Sequence, residues 1–119
     1  MANILSFGID QEFLQLRARA LAAAGLKVSS VSQKDEALRL AKLAPPDLVI
    51  FGHKVPESLR TALSRNLKKI SPAVRLIYIY NGSIQGTELA DAVLALDSQP
   101  DQLVSTIRHL TEQPDGATA

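Results

Sequence analysis

Pro46-Asp47-Leu48-Val49-Ile50-Phe51-Gly52-His53-Lys54-Val55-Pro56 is the stretch that decides how this chain folds. Its apolar residues, Leu48 to Phe51, run without interruption between a proline-aspartate entry and a glycine exit. A run apolar at every position, rather than at alternate ones, belongs to a strand buried on both faces, the signature of a parallel sheet covered by helices. In such open sheets the C-terminal tips of the strands form the site. This tip carries Gly52, which has no side chain for chemistry, followed by a tight loop that contains Pro56.

Outward from this strand, apolar runs alternate with helical patterns. Asn3 to Phe7 reads as the first strand and Gln11 to Ala24 as a helix, with Phe13, Leu16, Ala20 and Ala24 on one face and Leu14, Ala18 and Leu21 beside them. Gly25 supplies the helix stop. Lys27 to Ser30 reads as a short strand, and Ser32 with Asp35 as a capping box for a second helix whose inward stripe is Ala37, Leu38, Ala41 and Ala44. Pro45 and Pro46 end it. Ser58 to Ile70 reads as a third helix, with Leu59, Ala62, Leu63, Leu67 and Ile70 inward. Leu76 to Tyr80 and Val93 to Leu96 read as strands. A last helix runs from about Pro100 to Leu110, with Leu103, Val104, Ile107 and Leu110 inward.

Strands separated by helices predict βαβ units, a parallel sheet and right-handed crossovers. The expected fold is therefore α/β, a doubly wound three-layer sandwich. The chain has 119 residues and reads as one domain over 3–110, with 111–119 as a tail or the start of a linker. A formal charge of +1 gives no global field to steer nucleic acid or membrane, and the absence of cysteine excludes disulfides and thiolate chemistry. With no apolar run long enough to span a bilayer and no signal-peptide pattern, a cytoplasmic location is expected.

Four stretches carry a family resemblance through their order and spacing: Ala22-Ala23-Ala24-Gly25-Leu26-Lys27-Val28, Asp35-Glu36-Ala37-Leu38, Pro46-Asp47-Leu48-Val49-Ile50 and Pro100-Asp101-Gln102-Leu103. With them the chain resembles the receiver domain of bacterial two-component response regulators (the CheY-like superfamily) from about Asn3 to Leu110. The resemblance implies a five-stranded parallel sheet of order 2-1-3-4-5, the flavodoxin-like topology.

It also implies a phosphorylation site, and there the chain departs from the pattern. The family's metal-binding acids fall on Gly8, Ile9 and Asp10, of which Asp10 alone is acidic. The phosphoaccepting aspartate falls on Gly52, the threonine or serine of the fourth strand on Tyr80, the lysine of the fifth strand on Leu96 and its aromatic switch residue on Val93 or a neighbour; Pro56 is retained. Phosphoryl transfer to a carboxylate needs that nucleophile, a cation and aimed donors. A hard divalent cation needs several oxygens, so no metal and no cofactor are expected. The reading is a degenerate pseudo-receiver without enzymatic activity, acting through protein–protein interaction independently of phosphorylation. The alternatives are a phosphorelay receiver with an atypical acceptor and a small-ligand sensor that uses the altered cleft.

Several side chains near the vacated tip have two readings. Lys54 is either a solvated loop lysine or an internal cation paired with Asp10 in place of a metal. His53 is a loop histidine or a substitute nucleophile. Gly52 permits backbone geometry closed to other residues and would let the following loop collapse into the empty pocket. Tyr78 reads as buried packing, while Tyr80 either caps the cleft or faces a partner. From Tyr80 to Val93 there is room only for a shortened fourth helix at about Thr87 to Ala92, or for a hairpin opened by Asn81-Gly82. That shortening argues against the usual receiver dimer.

Arg60, Arg65, Lys68, Lys69 and Arg75 give the third-helix region a basic excess, read as a solvated face or as a surface for an acidic partner. The partners implied by the resemblance are a histidine kinase, a regulator output domain or another signalling protein, with a homodimer by a non-standard face as a further option. No direct nucleic-acid or membrane partner is expected.

Overall fold

A computed structural model describes residues 2–98 and 100–112. Its elements run β1 (Ile4–Phe7), α1 (Gln11–Ala23), β2 (Val28–Val31), α2 (Lys34–Leu43), β3 (Leu48–Phe51), α3 (Glu57–Ile70), β4 (Arg75–Tyr80), β5 (Ala92–Ala95), a 3-10 turn (Leu96–Ser98) and α4 (Asp101–Glu112). The strands form one parallel sheet of order β2-β1-β3-β4-β5, as the sequence predicts. The expected tail from residue 113 lies outside the described residues; α4 itself runs past Leu110 to Glu112.

Strand parity divides the core into two layers. Leu5, Phe7, Val49, Phe51, Leu76 and Tyr78 face α2 and α3, where they meet Ala37, Ala41, Leu63 and Leu67. Ile4, Leu48, Ile50, Ile77 and Ile79 face α1 and α4, where they meet Leu21, Leu103 and Ile107. Every residue of β1 and β3 is buried, which accounts for the unbroken apolar run of β3; in β1 the buried polar residue is Ser6, which accepts from Arg17 Nε. The edge strand β2 instead exposes Ser29 and Ser30, so polar residues are tolerated there.

Local chemistry sets the ends of α1. The Asp10 carboxylate accepts from Glu12 N at 3.0 Å and Phe13 N at 3.2 Å, capping the first turn. At the other end Leu26 N donates to Leu21 O and Gly25 N to Ala22 O, a Schellman closure that uses the left-handed φ of 83° at Gly25.

Several sequence expectations shift. The buried face of α1 is Leu14, Arg17 and Leu21, not the Phe13–Leu16–Ala20 stripe, and Leu16 is 52% exposed. Packing selects the flanking leucines Leu14 and Leu21 and takes Arg17 with them. The Ser32–Asp35 capping box does not form, because the N-cap of α2 is Gln33, without a side-chain bond. On α2 and α3, Ala44 and Ala62 are exposed.

No helix forms between β4 and β5. The shortened helix expected at Thr87 to Ala92 is reduced to a turn closed by Ala90 N donating to Thr87 O at 3.0 Å. The alternative hairpin is absent too, since β4 and β5 pair in parallel. Gly82 and Gly86, both with positive φ, bend the segment, and Ile84 and Leu89 tuck it against the α3 layer.

Candidate functional site

β1 and β3 pair in register, with Ser6 opposite Ile50 and Phe7 opposite Phe51. The pairing with β3 carries on past the strand end, where Gly52 N donates to Phe7 O at 2.9 Å, while on the other side Gly8 N continues the pairing with β2 by donating to Val31 O at 3.1 Å. Gly8 and Gly52 thus stand side by side at the tip of the sheet. A β-carbon on either glycine would lie 3.2 Å from Nη2 of Arg17, and one on Gly52 would lie 3.7 Å from the Gly8 α-carbon.

Neither glycine has a positive φ, since only Gly25, Gly82 and Gly86 do. The expectation that Gly52 serves an unusual backbone geometry is therefore corrected: it serves space. The expected collapse of the following loop is corrected as well, because the space beside Gly52 is taken by a side chain from α1.

Arg17 is 8% exposed. Its Nε donates to the buried Ser6 Oγ at 2.9 Å, and among the described residues no carboxylate pairs with it. Burial lowers its pKa from 12.5 to about 10, which leaves the guanidinium charged at neutral pH. The sequence reading missed this residue. Its signal was the spacing Leu14-Arg17-Leu21, which puts a polar side chain on the apolar stripe of a helix that begins beside the strand tip.

Both oxygens of Asp10 are engaged. Oδ1 caps α1 and Oδ2 lies 3.2 Å from Lys54 Nζ. The backbone bond from Phe13 and the Lys54 ammonium hold its pKa below 3.8. The Lys54 side chain is 53% exposed, so this pair sits at the rim while Arg17 fills the cleft.

Among the described residues no group of three or more His, Asp and Glu side chains gathers to hold a metal. With glycines at Gly8 and Gly52, an exposed apolar Ile9 and a saturated Asp10, the residues present do not fit the divalent cation that receiver chemistry requires.

The other candidates scatter around this centre. His53 is half-buried, its ring edge-on to Phe13 with centroids 4.6 Å apart. Burial lowers its pKa below 6.5, helped by the positive Lys54 and Arg17 and opposed by Asp10. Tyr78 is fully buried and shares a 2.7 Å hydrogen bond with Ser64 Oγ. Tyr80 is half-buried at the end of β4, away from Arg17, in a polar cavity of about 220 Å³ with His53, Arg60 and Asn81. Leu96 follows β5 and lines a separate cavity together with Arg17.

The basic surface does not survive as one patch. Arg60 is 6% exposed, stacks over the Tyr78 ring at 4.6 Å and donates to Gln85 O, pinning the irregular segment to α3. Lys68 is half-buried beside Asp91 and donates to Val74 O at 2.8 Å. Arg65 and Lys69 remain exposed.

The fold is that of solved receiver domains. A response regulator receiver domain from Clostridium thermocellum superposes with a TM-score of 0.80 at 23% identity, covering 95% of this chain and 96% of that one. Chemotaxis protein CheY4 of Vibrio cholerae gives 0.79 at 19% identity, covering 92% and 98%. NtrX from Brucella abortus, solved in complex with ADP, gives 0.79 at 21% identity; the match covers 93% of this chain but 26% of NtrX. No protein-family model and no curated protein matches the chain. No helix among the described residues is long and apolar enough to cross a membrane.

Proposed function

We propose that this chain is a receiver-like signalling module that acts by protein–protein interaction without being phosphorylated, in a two-component or related system. The observation that carries the reading is Arg17: its guanidinium fills the space beside Gly52 where an acceptor carboxylate would stand. An acidic side chain there would be neutralised by an internal cation, and glycine offers no nucleophile at all. The remaining acid, Asp10, is committed to capping α1 and to Lys54.

A fixed cleft suits a docking piece rather than a switch. In this reading the partner is a histidine kinase, an output domain or another signalling protein, and the module has no enzymatic activity and works in the cytoplasm. Dimerisation by a non-standard face is compatible with the loss of the helix between β4 and β5.

The test is intact mass after incubation with acetyl phosphate and magnesium. No gain in mass is expected. A gain of one phosphoryl group, abolished by His53→Ala or Asp10→Ala, would overturn the reading in favour of an atypical acceptor.

A further inference from the structure

Arg17 belongs to a second feature that the loss of phosphorylation does not explain. Between α1 and the start of α4 lies a cavity of about 260 Å³, lined by Phe13, Leu16, Ala20, Leu96 and Leu103 around Arg17. Apart from the guanidinium, the side chains named are apolar. A buried cation normally has a carboxylate partner, because an unpaired charge away from water is costly. Arg17 has a neutral hydroxyl, Ser6, on Nε and no acid among the described residues. If filling space beside Gly8 and Gly52 were its whole role, a methionine of similar length would serve without the charge.

We propose that this cavity binds a small organic carboxylate, with the acid on the guanidinium of Arg17 and its apolar body against Phe13, Leu16, Leu96 and Leu103. A guanidinium presents paired N–H donors that match a carboxylate in a planar, charge-assisted fork. Nε is used by Ser6, which fixes the plane of the fork, and no hydrogen bond from Nη1 or Nη2 is found among the described residues. Charge selects the head group: among the described residues Arg17 is the one cation lining the cavity, and Lys54 is engaged with Asp10. One guanidinium balances a monoanion, whereas a phosphate ester would bring more charge than the site can neutralise. The apolar wall selects a hydrocarbon body over a polar one, and the volume lies near the lower end for ligand cavities, so the acid is small.

Ligand binding at this cavity does not depend on the phosphorylation reading, since acetyl phosphate can fail to modify the chain whether or not an acid binds.

The test titrates the full chain with hexanoate and benzoate, against hexanamide, benzamide and inorganic phosphate, followed by ¹H–¹⁵N chemical shifts. Saturable binding of at least one acid is expected, with shifts centred on Arg17, Leu96 and Leu103. The matching amide should bind about tenfold to a hundredfold more weakly, the scale of a charge-assisted hydrogen bond, and phosphate should give no saturable shift. Arg17→Met, which keeps length and apolar packing, should lose acid binding by a similar factor. The proposal is overturned if neither acid binds, if the amides bind as well as the acids, or if Arg17→Met binds the acids unchanged. Should that variant fail to fold, the acid-against-amide comparison on the wild-type chain still decides.

Discussion

The Arg17 guanidinium and Gly52 occupy complementary space: a β-carbon on Gly52 would stand 3.2 Å from Nη2, closer than side chains ordinarily pack. Gly8 has the same relation to the same nitrogen at the same distance. One side chain from α1 therefore crowds two glycines at neighbouring strand tips, with Leu14 also 3.3 Å from a β-carbon placed on Gly8. Gly8, Gly52 and Arg17 are thus a packed unit.

This unit predicts energetic coupling. Gly52→Ala should destabilise the protein by about 1 kcal/mol, the scale of mild overpacking, because Arg17 must shift by a few tenths of an ångström. In an Arg17→Ala background the same change should cost little. A double-mutant cycle by urea denaturation measures the difference. Equal costs in the two backgrounds would show that Gly52 is needed for something other than the space Arg17 takes.

The sheet was legible because β3 is apolar without interruption and its neighbours β1 and β4 are nearly so, and burial on two faces leaves little room for another reading. The departures from the receiver pattern are legible from residue type alone: Gly8, Gly52 and Leu96 carry no side-chain carboxylate or amine in any conformation. What fills the strand tip is harder to read. On α1 two apolar stripes compete, and choosing between them depends on how the helix rolls against β1, a tertiary property. Lys54, two residues after Gly52, is the nearer cation in sequence, while Arg17 reaches the tip from a full helical turn and more beyond Asp10. After Tyr80 the turn residues Asn81 to Gly86 leave room for a helical stub at about Thr87 to Ala92; the segment's anchors, Arg60 and Asp91, act through distant partners that spacing does not reveal.

Tyr78 and Ser64 give a second test. Their hydroxyls share a fully buried 2.7 Å bond between β4 and α3. Tyr78→Phe should cost about 1–3 kcal/mol by leaving Ser64 Oγ unpaired. Adding Ser64→Ala should recover part of that loss, because both polar groups are then gone. Chemical denaturation of both single variants and the double variant checks this, and additive costs would contradict it.

Stability on the acid side should fall in two stages. His53 has its pKa lowered below 6.5 by burial and by Lys54 and Arg17, so folding favours its neutral form. Its contribution is complete above pH 6.5 and is lost as the pH falls through the folded value. Asp10, lowered from 3.8 by the Phe13 N–H and Lys54, contributes fully above pH 3.8 and loses that contribution at lower pH. The urea midpoint measured against pH should therefore decline first below 6.5 and again below 3.8. His53→Gln should flatten the first decline and leave the second; a variant that retained both would refute the assignment.

Asp91 takes over the work of the missing helix at the entry to β5. Its Oδ2 accepts from Leu76 N at 2.7 Å, and its own N–H donates to Leu76 O at 2.7 Å. Lys68 lies 3.8 Å and Arg75 3.6 Å from its carboxylate, so one side chain gathers α3, β4 and the irregular segment. With no helical hydrogen bonds to hold residues 83–91, this clamp and the Arg60–Gln85 bond join the packing of Ile84 and Leu89 in fixing the segment's path. Asp91→Ala should lower stability by about 1–2 kcal/mol, the scale of hydrogen bonds to a charged acceptor. Asp91→Asn, which keeps an acceptor for Leu76 N, should cost less. Hydrogen exchange locates the effect: amides in 83–91 and β5 should exchange faster in Asp91→Ala, while those of β1 and β3 follow the global loss alone. A uniform increase across all strands would mean that Asp91 supports the sheet as a whole rather than anchoring the segment that stands where a receiver's fourth helix would lie.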